Sequence, residues 1–239
     1  MTNKIEINNE RVAIIAAHPD DEILGCGGTI AKHINKGDDV AVLIMAEGIT
    51  SRDTDRNTEA RQGALQHLTD TARQANKKLG VSHVEFGGLP DNRLDSMDLL
   101  DVVKVVESFL DQFQPTIIYT HCGSDLNIDH RIVSQAVSTA TRPLPNSSVH
   151  SILHFEVPSS TEWQTPGAYP TFVPNWFVGI ENTLTQKLES LAIYEQEMRD
   201  WPHARSIKAL EHLAKWRGAS IGLNAAEAFS LARHITPED

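Results

Sequence analysis

Four short apolar runs, each followed by a stretch with helical spacing, limit what this chain can fold into. The runs are Val12 to Ala17, Val40 to Met45, Val81 to Phe86 and Thr116 to Thr120. A run that is short and largely apolar along its length reads as a strand buried on both faces. Between them, Glu22 to Asn35, Glu59 to Leu79, Leu99 to Phe113 and Asp129 to Thr141 carry apolar residues at helical intervals. Gly37, Gly80 and Pro115 stand at the breaks. Strand and helix alternation of this kind predicts βαβ units and a mostly parallel sheet with helices on both faces, a Rossmann-like three-layer α/β fold.

The second half is less regular. Ser151 to Val157 and Trp176 to Ile180 read as strands, Pro158 to Pro174 as a loop, and Thr183 to Met198 and His203 to Arg217 as helices. No linker-like stretch divides the 239 residues, so the expectation is a single domain over 1–239. The formal net charge of −11 repels phosphate backbones and anionic lipid, which argues against nucleic acid and membrane partners. Met1 to Glu10 is polar and lacks the apolar core of a signal peptide. With only two cysteines, Cys26 and Cys122, the chain fits a reducing compartment, and the expected location is the cytoplasm.

The first run stops at His18-Pro19-Asp20-Asp21-Glu22, and the fourth is followed by His121 and then by Asn127-Ile128-Asp129-His130. In an open parallel sheet, ligands bind beyond the carboxyl ends of the strands where the strand order reverses. With the order 3-2-1-4, strands 1 and 4 are neighbours there, and the two clusters converge. Catalytic zinc takes three protein ligands and keeps a position for water. His18, Asp21 and His130 make such a set, and Fe(II) fits the same donors. The plainer reading stays open: His-Pro-Asp-Asp as a turn, Asp129 as a helix cap, and His130 on a solvated first turn.

These two clusters, with Leu24-Gly25-Cys26-Gly27-Gly28-Thr29 trailing the first, resemble the signatures of the PIG-L/LmbE-like zinc deacetylases over roughly the first 140 residues. The resemblance implies an amidase that removes acetyl from an amino sugar. It makes His18, Asp21 and His130 the zinc ligands, Asp20 the general base, and Asp129 an acid that orients groups of the site. More loosely, it makes Arg52 a substrate contact. This chain departs from the pattern at Asn127, where many members carry a histidine that polarises the acyl carbonyl. An amide can donate to an oxyanion but cannot act as a general acid. Protonation of the leaving amine then falls to Asp20 or His121.

The segments around Glu156, Trp163, Trp176 and His203-Ala204-Arg205 mix aromatic and charged groups in loops, which suits sugar recognition. They also look similar to the branch of the family found with bacterial surface-polysaccharide genes, which implies a nucleotide-linked N-acetyl sugar. His203, Arg205 and Arg217 are then candidate phosphate contacts. Asp91, after the third strand, has a site-like position and reads equally as a turn residue. The metal site is expected from residues 1–140 and the recognition loops mainly from 150–239. Either cysteine is read as a packing residue. An exposed apolar face in the second half would serve a homo-oligomer. An amidase of a thiol conjugate and a non-catalytic sugar or metal binder are the alternatives.

Overall fold

The structure, a computed structural model, describes residues 9–236. The polar segment 1–8 lies outside them. Seven strands form one sheet: β1 (Arg11–Ala16), β2 (Asp39–Ala46), β3 (His83–Leu89), β4 (Ile117–His121), β5 (Ser151–Phe155), β6 (Trp176–Gly179) and β7 (Ala226–His234). Their order is β3-β2-β1-β4-β5-β7-β6. The first five pair in parallel, and β7 runs antiparallel to both β5 and β6.

Helices cover both faces, as the alternating pattern predicts. Val12 and Ile14 of β1 point to one core with α1 (Asp21–Lys36), α2 (Thr58–Leu79), α5 (Leu184–Leu191) and α6 (Ile207–Ala219). Ala13 and Ile15 point to the other core, with α3 (Leu99–Phe113) and α4 (Ile128–Ala140). No helix among the described residues is long and apolar enough to cross a membrane.

The second half departs from the sequence expectation in three places. α5 stops at Leu191, well short of Met198, because residues 192–198 turn inward and carry Tyr194 into the core at 1 % exposure. α6 starts at Ile207 and not at His203, since the Ser206 hydroxyl caps it by accepting the Ala209 N–H at 3.1 Å. β7 has no counterpart in the sequence reading. Its alanines and Glu227 carry little strand propensity, and only its fit between β5 and β6 makes it a strand.

Helix α1 shows how β7 is tied in. Its backbone leaves helical geometry at Cys26 (φ −147°, ψ 24°), so a new helical segment begins there with unpaired N–H groups. The buried Glu227 carboxylate takes the Gly28 N–H at 2.9 Å, the Thr29 N–H at 2.7 Å and the Thr29 hydroxyl at 2.6 Å. Lys187 Nζ balances its charge at 2.6 Å. The glycines around the kink permit close packing: a Cβ on Gly25 would overlap the Phe155 ring, and one on Gly28 would come within 2.8 Å of Ile180. Cys26 and Cys122 are free and buried.

Gly25→Ala should lower unfolding stability by about 1–3 kcal/mol through overpacking. Gly63→Ala, in α2 where an added Cβ meets nothing within 4 Å, should raise it by about 0.5–1 kcal/mol. Denaturant titration of the two variants checks the contrast, and equal effects would contradict this packing.

Candidate metal and catalytic site

β1 and β4 are adjacent and parallel, with Ile15 opposite Thr120. Their carboxyl ends therefore bring the His18 and His121 segments together, and α4 starts beside them. Asp21 is the hub. Its Oδ2 accepts the His18 backbone N–H at 2.9 Å. The same oxygen lies 3.3 Å from His18 Nδ1, 3.1 Å from His130 Nε2 and 3.6 Å from His121 Nε2. Asp21 Oδ1 is buried and has no hydrogen-bond partner among the described residues.

His18, Asp21 and His130 offer donor atoms that all lie within 4.8 Å of one another, and so do His18, Asp91 and Asp129. Saturation distinguishes the two sets. Asp129 accepts the Leu94 N–H at 3.0 Å on one oxygen and the Asn92 N–H at 2.7 Å on the other. Asp91 accepts from the Asn92 side chain at 2.9 Å and from the Ser51 N–H at 3.0 Å. Only the first set keeps an uncommitted carboxylate oxygen, so it is the set that fits a metal ion. Asp129 and Asp91 instead sit 3.0 and 3.3 Å from His18 Nε2, where they orient the ring and leave Nδ1 facing Asp21.

His130 has the same kind of support. Asp125 Oδ1 lies 3.1 Å from its Nδ1. Asp125 is held in turn by the hydroxyls of Ser160 and Thr161 and by the Asn127 N–H at 2.9 Å. Sequence reasoning missed Asp125 because an acid in a polar loop looks like a turn residue. Ser160 and Thr161 lie 35 and 36 residues further on and gave no spacing signal at all.

Asp20, Asp21, Asp91, Asp125 and Asp129 are each no more than 1 % exposed. Such a cluster strongly favours positive charge at its centre. Burial opposes the charged form of His18, but hydrogen bonds to Asp129 and Asp21 and the nearby acids push its pKa up to about 10. His130 rises to about 9 against burial, through Asp21 and Asp125. Asp125 falls to about 2, since hydrogen bonding to His130, that ring's charge and the two hydroxyls outweigh the cost of burial. The same field suits a divalent cation.

Asp20 occupies the left-handed region at φ 105°, ψ −29°, a conformation that costs a non-glycine residue on the order of 1–3 kcal/mol. Its Oδ2 accepts from Arg205 at 2.8 Å, while Oδ1 is buried without a partner among the described residues. Burial raises its pKa well above the usual carboxylate range. Arg205 lowers it, and Asp21, Glu197 and Glu22 add to the rise.

Other expected site residues have different surroundings. His121 is sealed in the core, stacks on His130 with ring centres 3.9 Å apart, and accepts the Ala17 N–H at 2.7 Å. Burial and the neighbouring His130 hold its pKa well below the normal histidine value. A neutral ring so placed packs against His130. Asn127 caps α4: its Oδ1 accepts the Asp129 N–H at 2.8 Å, and its amide donates to Asn92 at 2.8 Å. That amide is directed at Asn92. The cap expected at Asp129 therefore belongs to Asn127.

Asp91 is an interior support with both oxygens accepting hydrogen bonds. Arg52 is gripped by both oxygens of Glu197 at 2.7 Å, and Glu156 pairs with Arg217 at 2.6 and 2.8 Å. Arg205 reaches Asp20, and His203 Nδ1 accepts the Arg205 N–H at 3.0 Å. The arginines read as phosphate contacts, Arg205 and Arg217, are thus each paired with a carboxylate of this chain.

Residues 13–141 match the family described as GlcNAc-PI de-N-acetylase, PIG-L. The chain is 30% identical over 193 residues to the uncharacterized deacetylase YaiS of Escherichia coli K12, covering 77% of this chain and 90% of that protein. It is 30% identical over 211 residues to the diacetylchitobiose deacetylase of Thermococcus kodakarensis, covering 83% and 76%. The N,N'-diacetylchitobiose deacetylase of Pyrococcus horikoshii, solved with an inhibitor, superimposes with a TM-score of 0.75 at 22% identity, covering 96% of this chain and 88% of that one.

Removing the outer carboxylate of His130 should weaken metal binding without unfolding the site. Asp125→Asn is expected to lower zinc affinity about 10–100-fold. Competition with a chromogenic chelator measures it, and unchanged affinity would remove Asp125 from the site.

Proposed function

The chain belongs to the PIG-L family of de-N-acetylases, and on that premise we propose that it is a zinc-dependent amidohydrolase that removes acetyl from the nitrogen of an amino sugar. The observation that carries the reading is the buried Oδ1 of Asp20, without a partner among the described residues, next in the chain to Asp21 of the His18–Asp21–His130 set. A zinc ion held by those three residues would supply Lewis acidity and would lower the pKa of water toward about 7. Fe(II) is accommodated by the same donors.

The residues of the chain do the rest. Asp20 Oδ1 accepts the proton of the attacking water, and its raised pKa makes it a better base than an exposed carboxylate. Arg205 anchors the other oxygen of Asp20, so Oδ1 keeps its direction. The water oxygen bonds to the acetyl carbon and the C–N bond breaks. The proton held on Asp20 passes to the departing amine, which leaves acetate and the free amino sugar. Asp20 serves both transfers because Asn127 cannot donate a proton as an acid and His121 is sealed away.

His18, Asp21 and His130, all within the first 140 residues, supply the metal site, and the loops after residue 150 supply the sugar side of one domain. Trp163 is 52 % exposed and meets His203 edge-on at 5.7 Å. An exposed indole on a loop bonded to Asp125 and Arg205 suits stacking on a pyranose face. The pairing of Arg205 and Arg217 with carboxylates favours an uncharged N-acetyl sugar over a nucleotide-linked one.

The test is acetate release from N-acetylglucosamine, N,N'-diacetylchitobiose and a nucleotide-linked N-acetylglucosamine, by metal-stripped and zinc-restored protein. Zinc-dependent release is expected, strongest from the uncharged sugars. Asp20→Asn should keep the metal and lower kcat about 10²–10⁴-fold, and His130→Ala should lose both metal and turnover. Normal turnover by Asp20→Asn would overturn the assignment of the base.

A further inference from the structure

Asp20 presents its carboxylate from a backbone conformation that its own side chain disfavours, and such conformations persist only where the surroundings impose them. The carbonyl side of this residue is held by the helix, since Asp20 O accepts the Ile23 N–H at 3.1 Å and the Leu24 N–H at 2.8 Å. The amide side is held by Glu22, whose Oε2 accepts the Asp20 N–H at 3.0 Å. The other oxygen, Oε1, accepts the Tyr194 hydroxyl at 2.7 Å and the Asn76 amide at 2.8 Å. Asn76 is fixed in turn by donating to Ala72 O at 3.0 Å.

Glu22 and Asn76 are 0 % exposed, and Tyr194 is 1 % exposed. They come from α1, from α2 and from the turn that follows α5, so three parts of the fold converge on one peptide group. A carboxylate buried this deeply is costly unless it is fully hydrogen-bonded. Packing alone would be met at less cost by an apolar residue of similar size. What the carboxylate adds is a fixed acceptor for the Asp20 N–H, backed by two donors that stop it from rotating away.

We propose that Glu22, anchored by Tyr194 and Asn76, is a positioning residue of the amidase reaction: it fixes the Asp20 peptide and thereby the aim of Asp20 Oδ1. The inference rests on the reading of Asp20 as the base. A misplacement of a reacting group by about 1 Å costs on the order of 10²-fold in rate. Glu22→Gln keeps the shape but replaces one acceptor oxygen with a donor, and Tyr194→Phe removes a single hydroxyl.

The experiment measures zinc content, KM and kcat for acetate release from the best sugar substrate by zinc-loaded wild type, Glu22→Gln, Tyr194→Phe, Asp20→Asn and Glu22→Gln/Asp20→Asn. With one zinc per chain and KM within about twofold, Glu22→Gln should lower kcat about 10–100-fold and Tyr194→Phe several-fold. In the Asp20→Asn background, Glu22→Gln should cost nothing further, because its effect runs through Asp20. Unchanged kcat in Glu22→Gln and Tyr194→Phe, even with a lowered Tm, would overturn the proposal, as would an undiminished further loss in the double variant. If Glu22→Gln fails to fold, Tyr194→Phe decides the matter by the same split of kcat from KM. Normal turnover by Asp20→Asn would instead remove the underlying reading of the base.

Discussion

The site depends on burying the carboxylate of Asp21 among imidazoles. A buried, unpaired carboxylate is not tolerated, so Oδ2 must be satisfied before Oδ1 can be offered to anything else. The His18 N–H and the rings of His18 and His130 satisfy it. Those rings in turn need directions, which Asp129 provides for His18 and Asp125 for His130. Each acid is then fixed by backbone N–H groups or hydroxyls from other segments. The order of strands β1 and β4 makes this chain of dependence geometrically possible.

The second half of the chain secures the first. Glu227 on β7 caps the segment of α1 that follows the kink, and Lys187 on α5 neutralises it. Tyr194 reaches Glu22, Arg205 reaches Asp20, and Ser160 and Thr161 hold Asp125. The residues proposed to hold a metal, His18, Asp21 and His130, come from the region matched to the family. The acids that orient the rings, Asp91, Asp125 and Asp129, come from the same region, and Ser160, Thr161, Tyr194 and Arg205 support the site from beyond it.

This division explains what was legible in the sequence. The βαβ order and the paired clusters at residues 18–22 and 127–130 carried the fold class, because apolar periodicity and strand-end position are local signals. β7 was not legible, since Ala226 to His234 becomes a strand only between two others. Asp125, Ser160 and Thr161 were silent because a buried carboxylate and its hydroxyl donors have no fixed spacing. His121 and Asn127 were legible as positions, but their contacts were not. Residue type suggested acid or oxyanion chemistry, while the stacking of His121 on His130 and the capping of α4 by Asn127 depend on the fold. For Arg52 and Arg205, the sequence displayed the charges but not the carboxylates opposite them.

The most direct test of this account is the location of the bound ion. Crystals grown with one equivalent of zinc and measured on both sides of the zinc absorption edge should give one anomalous peak. The account predicts that peak in contact with His18 Nδ1, Asp21 and His130 Nε2, with Asp20 Oδ1 facing it. A peak on the opposite side of His18, between Asp91 and Asp129, or no peak among these residues, would contradict it.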